Sequence, residues 1–374
     1  MLTASLMLLA NADLTFYLLL FLASSTLFLL ILYITTPKAS AAKADCSEAA
    51  VKFFTRTGVA LLTIKMGLLV GSTGSVPIFS EGGSDAYIIF DTENKLASSF
   101  LLGIGNVDLI IFAFVLPLIR KLKWRFWVIF FLILSAALGL AGGKKASLFS
   151  VMAAVAFGEY LRVAYVTSQR KYFLTRKNII LFLGLSSIWA AWTYIRTGGT
   201  ESELIAVDVG LVSLVADFVV YQWAYPFFLF ALGELSGFFQ QYQVDQIRYF
   251  FHSILSPLGF PAFSAAIGPA LNAHQTGELT GNGINPTFII EGYVLFGALL
   301  PLYAAIVALV IGKGRALLIG IRSLEYRIVL MSLFLPALYI LPVDALLFAK
   351  VLYVSIFLFF AIVMPVRFVT REKQ

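Results

Sequence analysis

The chain has 374 residues, 60% of them hydrophobic and only 13% charged, with a mean hydropathy of +0.92. Soluble domains run about 45–50% apolar and about 25% charged, so composition excludes an ordinary water-soluble protein, which would lack the polar side chains to cover its surface. The formal charge of +7 does not point to nucleic acid, because Lys and Arg fall in short tracts between apolar runs, as cytoplasmic loops do. Cys46 is the single cysteine and His252 and His274 the only histidines, so no intrachain disulfide and no metal-ligand spacing exists.

In chain order, the first apolar run covers residues 14–36. No basic residue precedes it and it is too long for a signal-peptide core, so a spanning helix is expected rather than a cleaved leader. Lys38, Lys43, Lys52 and Arg56 follow, which puts that side in the cytoplasm and the N-terminus outside. A weaker run at 58–70 contains Lys65, an ammonium that either snorkels to a surface or faces a bundle interior. The loop 71–98 carries Glu81, Asp85, Asp91 and Glu93 against Lys95, an outer-side balance. A third span is expected over 101–119, with Asn106 and Asp108 inside it, before RKLKWR at 120–125 returns the chain to the cytoplasm.

The fourth span is expected at 126–141 and the fifth at 147–166, joined by a tight turn at 142–145. RKYFLTRK at 170–177 is the strongest cytoplasmic signal, and a sixth span, 178–195, ends outside at Arg196. Residues 197–285 are semi-apolar and rich in Gly, Pro, Gln and aromatics. They form a large periplasmic or re-entrant region, in which 207–237 makes either a hairpin or two short spans. Spans at 286–311, 328–341 and 346–363 follow, with Lys313, Arg315, Arg322 and Arg327 on the cytoplasmic side and a basic tail, RFVTREKQ. The expectation is an all-α polytopic protein, a single membrane domain over 1–374. It has about nine spans, or about eleven if the middle region crosses twice, and one large outer loop region. Continuous apolar runs, rather than short alternating ones, exclude a β-barrel.

Charge in unfavourable places carries the functional signal. Alternation puts Lys144 and Lys145 outside, where the positive-inside rule disfavours cations. They are either a pair tolerated by a short turn or an anion site beside the N-terminus of the fifth helix, suited to a diphosphate at headgroup depth. Arg196, Arg248 and His252 are the other outer cations; Arg248 and His252 share a helix face if helical. They either meet lipid headgroups or join the same anion site. In GNGINPTFIIEGYVLFG, residues 281–297, Asn285 suits an N-cap and Pro286 the first helical position. Glu291 then lies roughly 8–9 Å along the axis, and a carboxylate among Phe288, Ile289, Ile290 and Val294 is costly to bury. It is either a structural partner of a basic residue or a general base or hydroxyl acceptor; Tyr293, two residues on, faces elsewhere. Asp217, a helical neighbour of Tyr221, is a second costly carboxylate, explained either by chemistry or by amphipathic packing at the outer face. Glu234 falls in the same segment, and His274 reads as a solvated loop residue.

Together these segments resemble the bacterial oligosaccharide repeat-unit polymerases (O-antigen or capsule polymerases). The likeness rests on Pro286-Thr287-Phe288-Ile289-Ile290-Glu291-Gly292-Tyr293 with Phe296-Gly297 after a long outer loop, and on GGKKAS at 142–147. The Pro77-Ile78-Phe79 loop is similar as well. Lysines stand where such turns often carry arginine, so they would act as point charges rather than bidentate forks. The resemblance implies a metal-independent, cofactor-free glycosyltransferase at the periplasmic face of the bacterial inner membrane. Its substrates would be oligosaccharides linked to undecaprenyl diphosphate. It would act among membrane lipids and with a chain-length regulator protein, and not with nucleic acid. Lys144, Lys145, Arg196 and Arg248 would stabilise the leaving diphosphate and Glu291, with Asp217, would engage the acceptor hydroxyl. His252, Tyr221, Asn285 and Tyr293 would complete the substrate site. Two rivals share the layout: an O-antigen ligase, which transfers glycan to lipid A core, and a transporter or flippase of lipid-linked sugars. The absence of an internal repeat and the clustering of polar residues on one face argue against transport.

Overall fold

A computed structural model describes residues 12–36, 46–73, 95–140, 145–166, 287–342 and 345–371. Among these residues there is no strand. The helices are α1 (Ala12–Thr35), α2 (Glu48–Thr73), α3 (Lys95–Ile104), α4 (Val107–Val115), α5 (Leu122–Leu140), α6 (Lys145–Tyr165), α7 (Thr287–Phe296), α8 (Leu300–Gly320), α9 (Leu324–Ile340), α10 (Ala345–Leu358) and α11 (Met364–Arg371). Five stretches are long and apolar enough to cross a bilayer: Phe16–Thr35, Glu48–Gly71, Leu122–Gly139, Phe288–Gly320 and Leu347–Thr370. The protein is therefore helical and membrane-embedded, as its composition requires. Lipid accounts for side chains that water would not tolerate: on α5, Phe126, Phe130 and Ile133 are 66%, 47% and 62% exposed.

The chain forms two compact units, each assembled from separated segments. One takes Met1–Lys38, Val212–Leu317 and Pro336–Lys350; the other takes Ala39–Leu211, Leu318–Leu335 and Val351–Gln374.

In the second unit α4 is the pivot. Every residue from Val107 to Val115 is buried, and α4 packs against α2, α5 and α6. A helix apolar on all sides must be covered on all sides, and small residues bring its neighbours close. A Cβ on Gly158 of α6 would stand 2.4 Å from the Ile110 carbonyl oxygen, and one on Gly58 of α2 would stand 2.7 Å from the Phe112 ring. Glycine permits this close backbone approach in membrane helices.

The third expected span is not one helix. It breaks at Gly105–Asn106, where Gly105 takes φ +47°, a left-handed conformation glycine adopts without penalty. The α2 helix also begins ten residues before the expected apolar run, because Glu48–Thr57 extends it beyond the hydrophobic stretch. Residues 367–371 of the basic tail belong to α11. Arg367 of α11 lies 3.1 Å from a Glu325 carboxylate oxygen and over the Phe53 and Tyr326 rings, at 5.4 and 5.7 Å from their centroids.

The first unit contains the second break. The expected span 286–311 divides into α7, a short 3-10 turn at Gly297–Leu299, and α8, with Gly297 at φ +56°. Its core gathers Tyr303, Val307, Ile311 and Leu341, flanked by Phe28, Leu32, Phe288, Phe296 and Phe348.

Candidate functional site

Glu291 is fully buried, at 0% exposure, as the fifth residue of α7. That puts it about 6 Å along the axis, slightly shallower than the sequence suggests. The helix is anchored at its start, where the Phe288 amide donates to the Pro342 carbonyl at 2.7 Å and the Phe288 ring stacks on Phe28. Tyr303 on α8 donates its hydroxyl to Glu291 Oε2 at 3.3 Å. Twelve residues along an unbroken helix span about 18 Å, beyond the reach of these two side chains. The break at Gly297 is what brings them together. Gly292 is the second requirement: a Cβ there would stand 2.4 Å from the Tyr303 ring. The tyrosine ring, stacked on Phe296 at 5.2 Å, thus occupies space that glycine leaves beside the carboxylate. Tyr293 behaves as expected for another face of the helix, donating to the Tyr17 hydroxyl at 3.3 Å with the two rings edge to face.

The second unit holds a buried ionic cluster at its own helix break. Lys65 Nζ donates to the Gly105 carbonyl at 2.8 Å and lies 3.4 Å from Asp108 Oδ1; the Lys65 and Asp108 side chains are 6% and 0% exposed. Ser135 donates to the other Asp108 oxygen at 2.6 Å. Asn106, at the break itself, donates its side-chain amide to Ser150 at 3.2 Å. The broken helix suits both charges. Lys65 meets the negative C-terminal end of α3, and Asp108 sits in the positive first turn of α4. Of the two fates the sequence allows for Lys65, burial inside the bundle is the one realised.

Neither family models, curated proteins nor solved structures match this chain.

Of the sequence-derived site residues, the structure describes the surroundings of Glu291 and Tyr293. Lys145, expected in the turn ahead of the fifth span, is instead the first residue of α6; its side chain lies outside the described residues. Lys144, Arg196, Asp217, Tyr221, Arg248, His252 and Asn285 lie outside the described residues, as does the region 197–285. Tyr303 and Ser135 join the clusters without any sequence signal: both stand in apolar runs where a hydroxyl is unremarked. Among the described residues no group of three or more His, Cys, Asp or Glu is placed to hold a metal ion.

Proposed function

We propose that the protein is a glycosyltransferase of the repeat-unit polymerase type, joining lipid-diphosphate-linked oligosaccharides into a longer glycan at the outer face of a bacterial inner membrane. The observation that carries this reading is Glu291, a carboxylate buried in an apolar helix, hydrogen-bonded by a tyrosine and flanked by a glycine-made break. Intramembrane carboxylates are expensive and normally serve a substrate path or a partner. In this mechanism an acceptor hydroxyl displaces the Tyr303 hydroxyl at Glu291 and gives up its proton to the carboxylate. The oxygen bonds to the anomeric carbon of the donor, and the bond from that carbon to the lipid diphosphate breaks. The departing diphosphate gathers charge that Lys144, Lys145, Arg196, Arg248 and His252 neutralise. Asp217 and Tyr221 support the acceptor side, and Asn285 and Tyr293 complete the substrate site.

The test is reconstitution of the purified protein with lipid-linked repeat units. A ladder of products is expected, and Glu291→Gln should abolish it while leaving protein levels normal. A wild-type ladder from the variant removes Glu291 from the chemistry, and no ladder from the wild type removes the polymerase.

A transporter of lipid-linked sugars is the second reading, favoured by the two glycine breaks, each beside buried ionisable groups, a pattern common in transporters. Translocation of labelled lipid-linked sugar across vesicles, with no change in glycan length, would select it.

A further inference from the structure

The buried cluster at Gly105–Asn106 is absorbed neither by glycosyl transfer nor by the Glu291 site. Its geometry differs from that of a simple ion pair. Lys65 approaches the backbone carbonyl of Gly105 more closely, at 2.8 Å, than it approaches Asp108 Oδ1, at 3.4 Å. That carbonyl belongs to the left-handed residue that directly follows the C-terminal end of α3. Ser135 holds the other carboxylate oxygen and so presents Oδ1 to the ammonium. An unwound carbonyl, the C-terminal end of a half-helix and a carboxylate, buried in the bundle, are the oxygen ligands that membrane proteins use for monovalent cations. A lysine ammonium is a compact point charge of comparable kind.

We propose that the break between α3 and α4 is a monovalent-cation site whose cation is tethered, the Lys65 ammonium taking the place a sodium ion would hold between the Gly105 carbonyl and Asp108. The tether makes occupancy independent of the ions on either side of the membrane, so the broken helix stays fixed whatever the salt. Removing the ammonium while keeping the oxygens should then expose a latent sodium site. The volume left by the lysine side chain would hold the waters that complete its coordination.

The experiment compares wild type and Lys65→Ala, purified in sodium, potassium and choline chloride at equal ionic strength, by half-life at a fixed elevated temperature. Wild type should be the same in all three salts. Lys65→Ala should be short-lived in choline and gain about tenfold in half-life at sodium ten times above its dissociation constant, with a saturable dependence. The double variant Lys65→Ala/Asp108→Asn should lose the sodium response. The proposal is overturned if Lys65→Ala behaves alike in all three salts, or is recovered folded in none of them. It is equally overturned if the wild type gains as much from sodium, or if the response survives the loss of Asp108. None of these readouts depends on glycan synthesis.

Discussion

Replacing Asp108 by Asn keeps its shape and removes its charge, leaving the Lys65 ammonium buried with a carbonyl and no counter-ion. At 3.4 Å and an effective dielectric constant of about 20, the lost attraction is about 5 kcal/mol. Exposed pairs are worth about 0–1 kcal/mol, but with side-chain exposures of 6% and 0% this pair belongs to the buried class. There, removing one partner costs about 3–5 kcal/mol. Replacing both, as in Lys65→Met/Asp108→Asn, removes the desolvation penalty of both charges together with the attraction and should fall much closer to wild type than Asp108→Asn alone. Thermal denaturation in lipid nanodiscs, followed by loss of the monodisperse species, gives the four corners of a double-mutant cycle. Asp108→Asn should melt roughly 5–15 °C below wild type, taking a few degrees per kcal/mol. If it melts with wild type, or if the two single losses simply add in the double variant, the two groups are not coupled and the account of the helix break is wrong.

Gly158→Ala should destabilise by about 1–3 kcal/mol, because its Cβ would press on the Ile110 carbonyl across the α4–α6 contact. Gly67→Ala, in α2 with nothing within 4 Å of a new Cβ, should be neutral or stabilise by up to about 1 kcal/mol; paired melting curves check both. Cys46 precedes α2, outside the spanning segments, and burial pushes its thiol up from 9.0 to about 11, with Glu325 adding to the effect. Maleimide labelling of the folded protein at pH 8 should therefore run about 100-fold slower than after denaturation, since the thiolate is the reactive species. The sign also fixes an alkaline limit: the stability that the neutral thiol contributes is intact below pH 9 and is lost as the pH rises toward 11. Equal labelling rates in folded and denatured protein would contradict the burial.

The membrane class of the protein was legible in the sequence because partition between water and hydrocarbon is a property of each side chain and sums along a run. Costly residues stood out for the same reason: Lys65, Asp108 and Glu291 are conspicuous in apolar segments whatever surrounds them. What the sequence could not supply was pairing. Lys65 and Asp108 are 43 residues apart, and Ser135 and Asp108 are 27 apart, separations that mean nothing until α2, α4 and α5 are packed. Nor could it distinguish a glycine that eases packing, such as Gly158, from one that turns left-handed and breaks a helix, as Gly105 and Gly297 do. Backbone conformation at glycine is nearly free locally and is decided by what the two flanking helices bury. Tyr303 reaches Glu291 only because the chain turns at Gly297 and Gly292 has no side chain in the way. The sequence thus determined which groups need a partner in the membrane, and the tertiary structure alone decided which partner each one has.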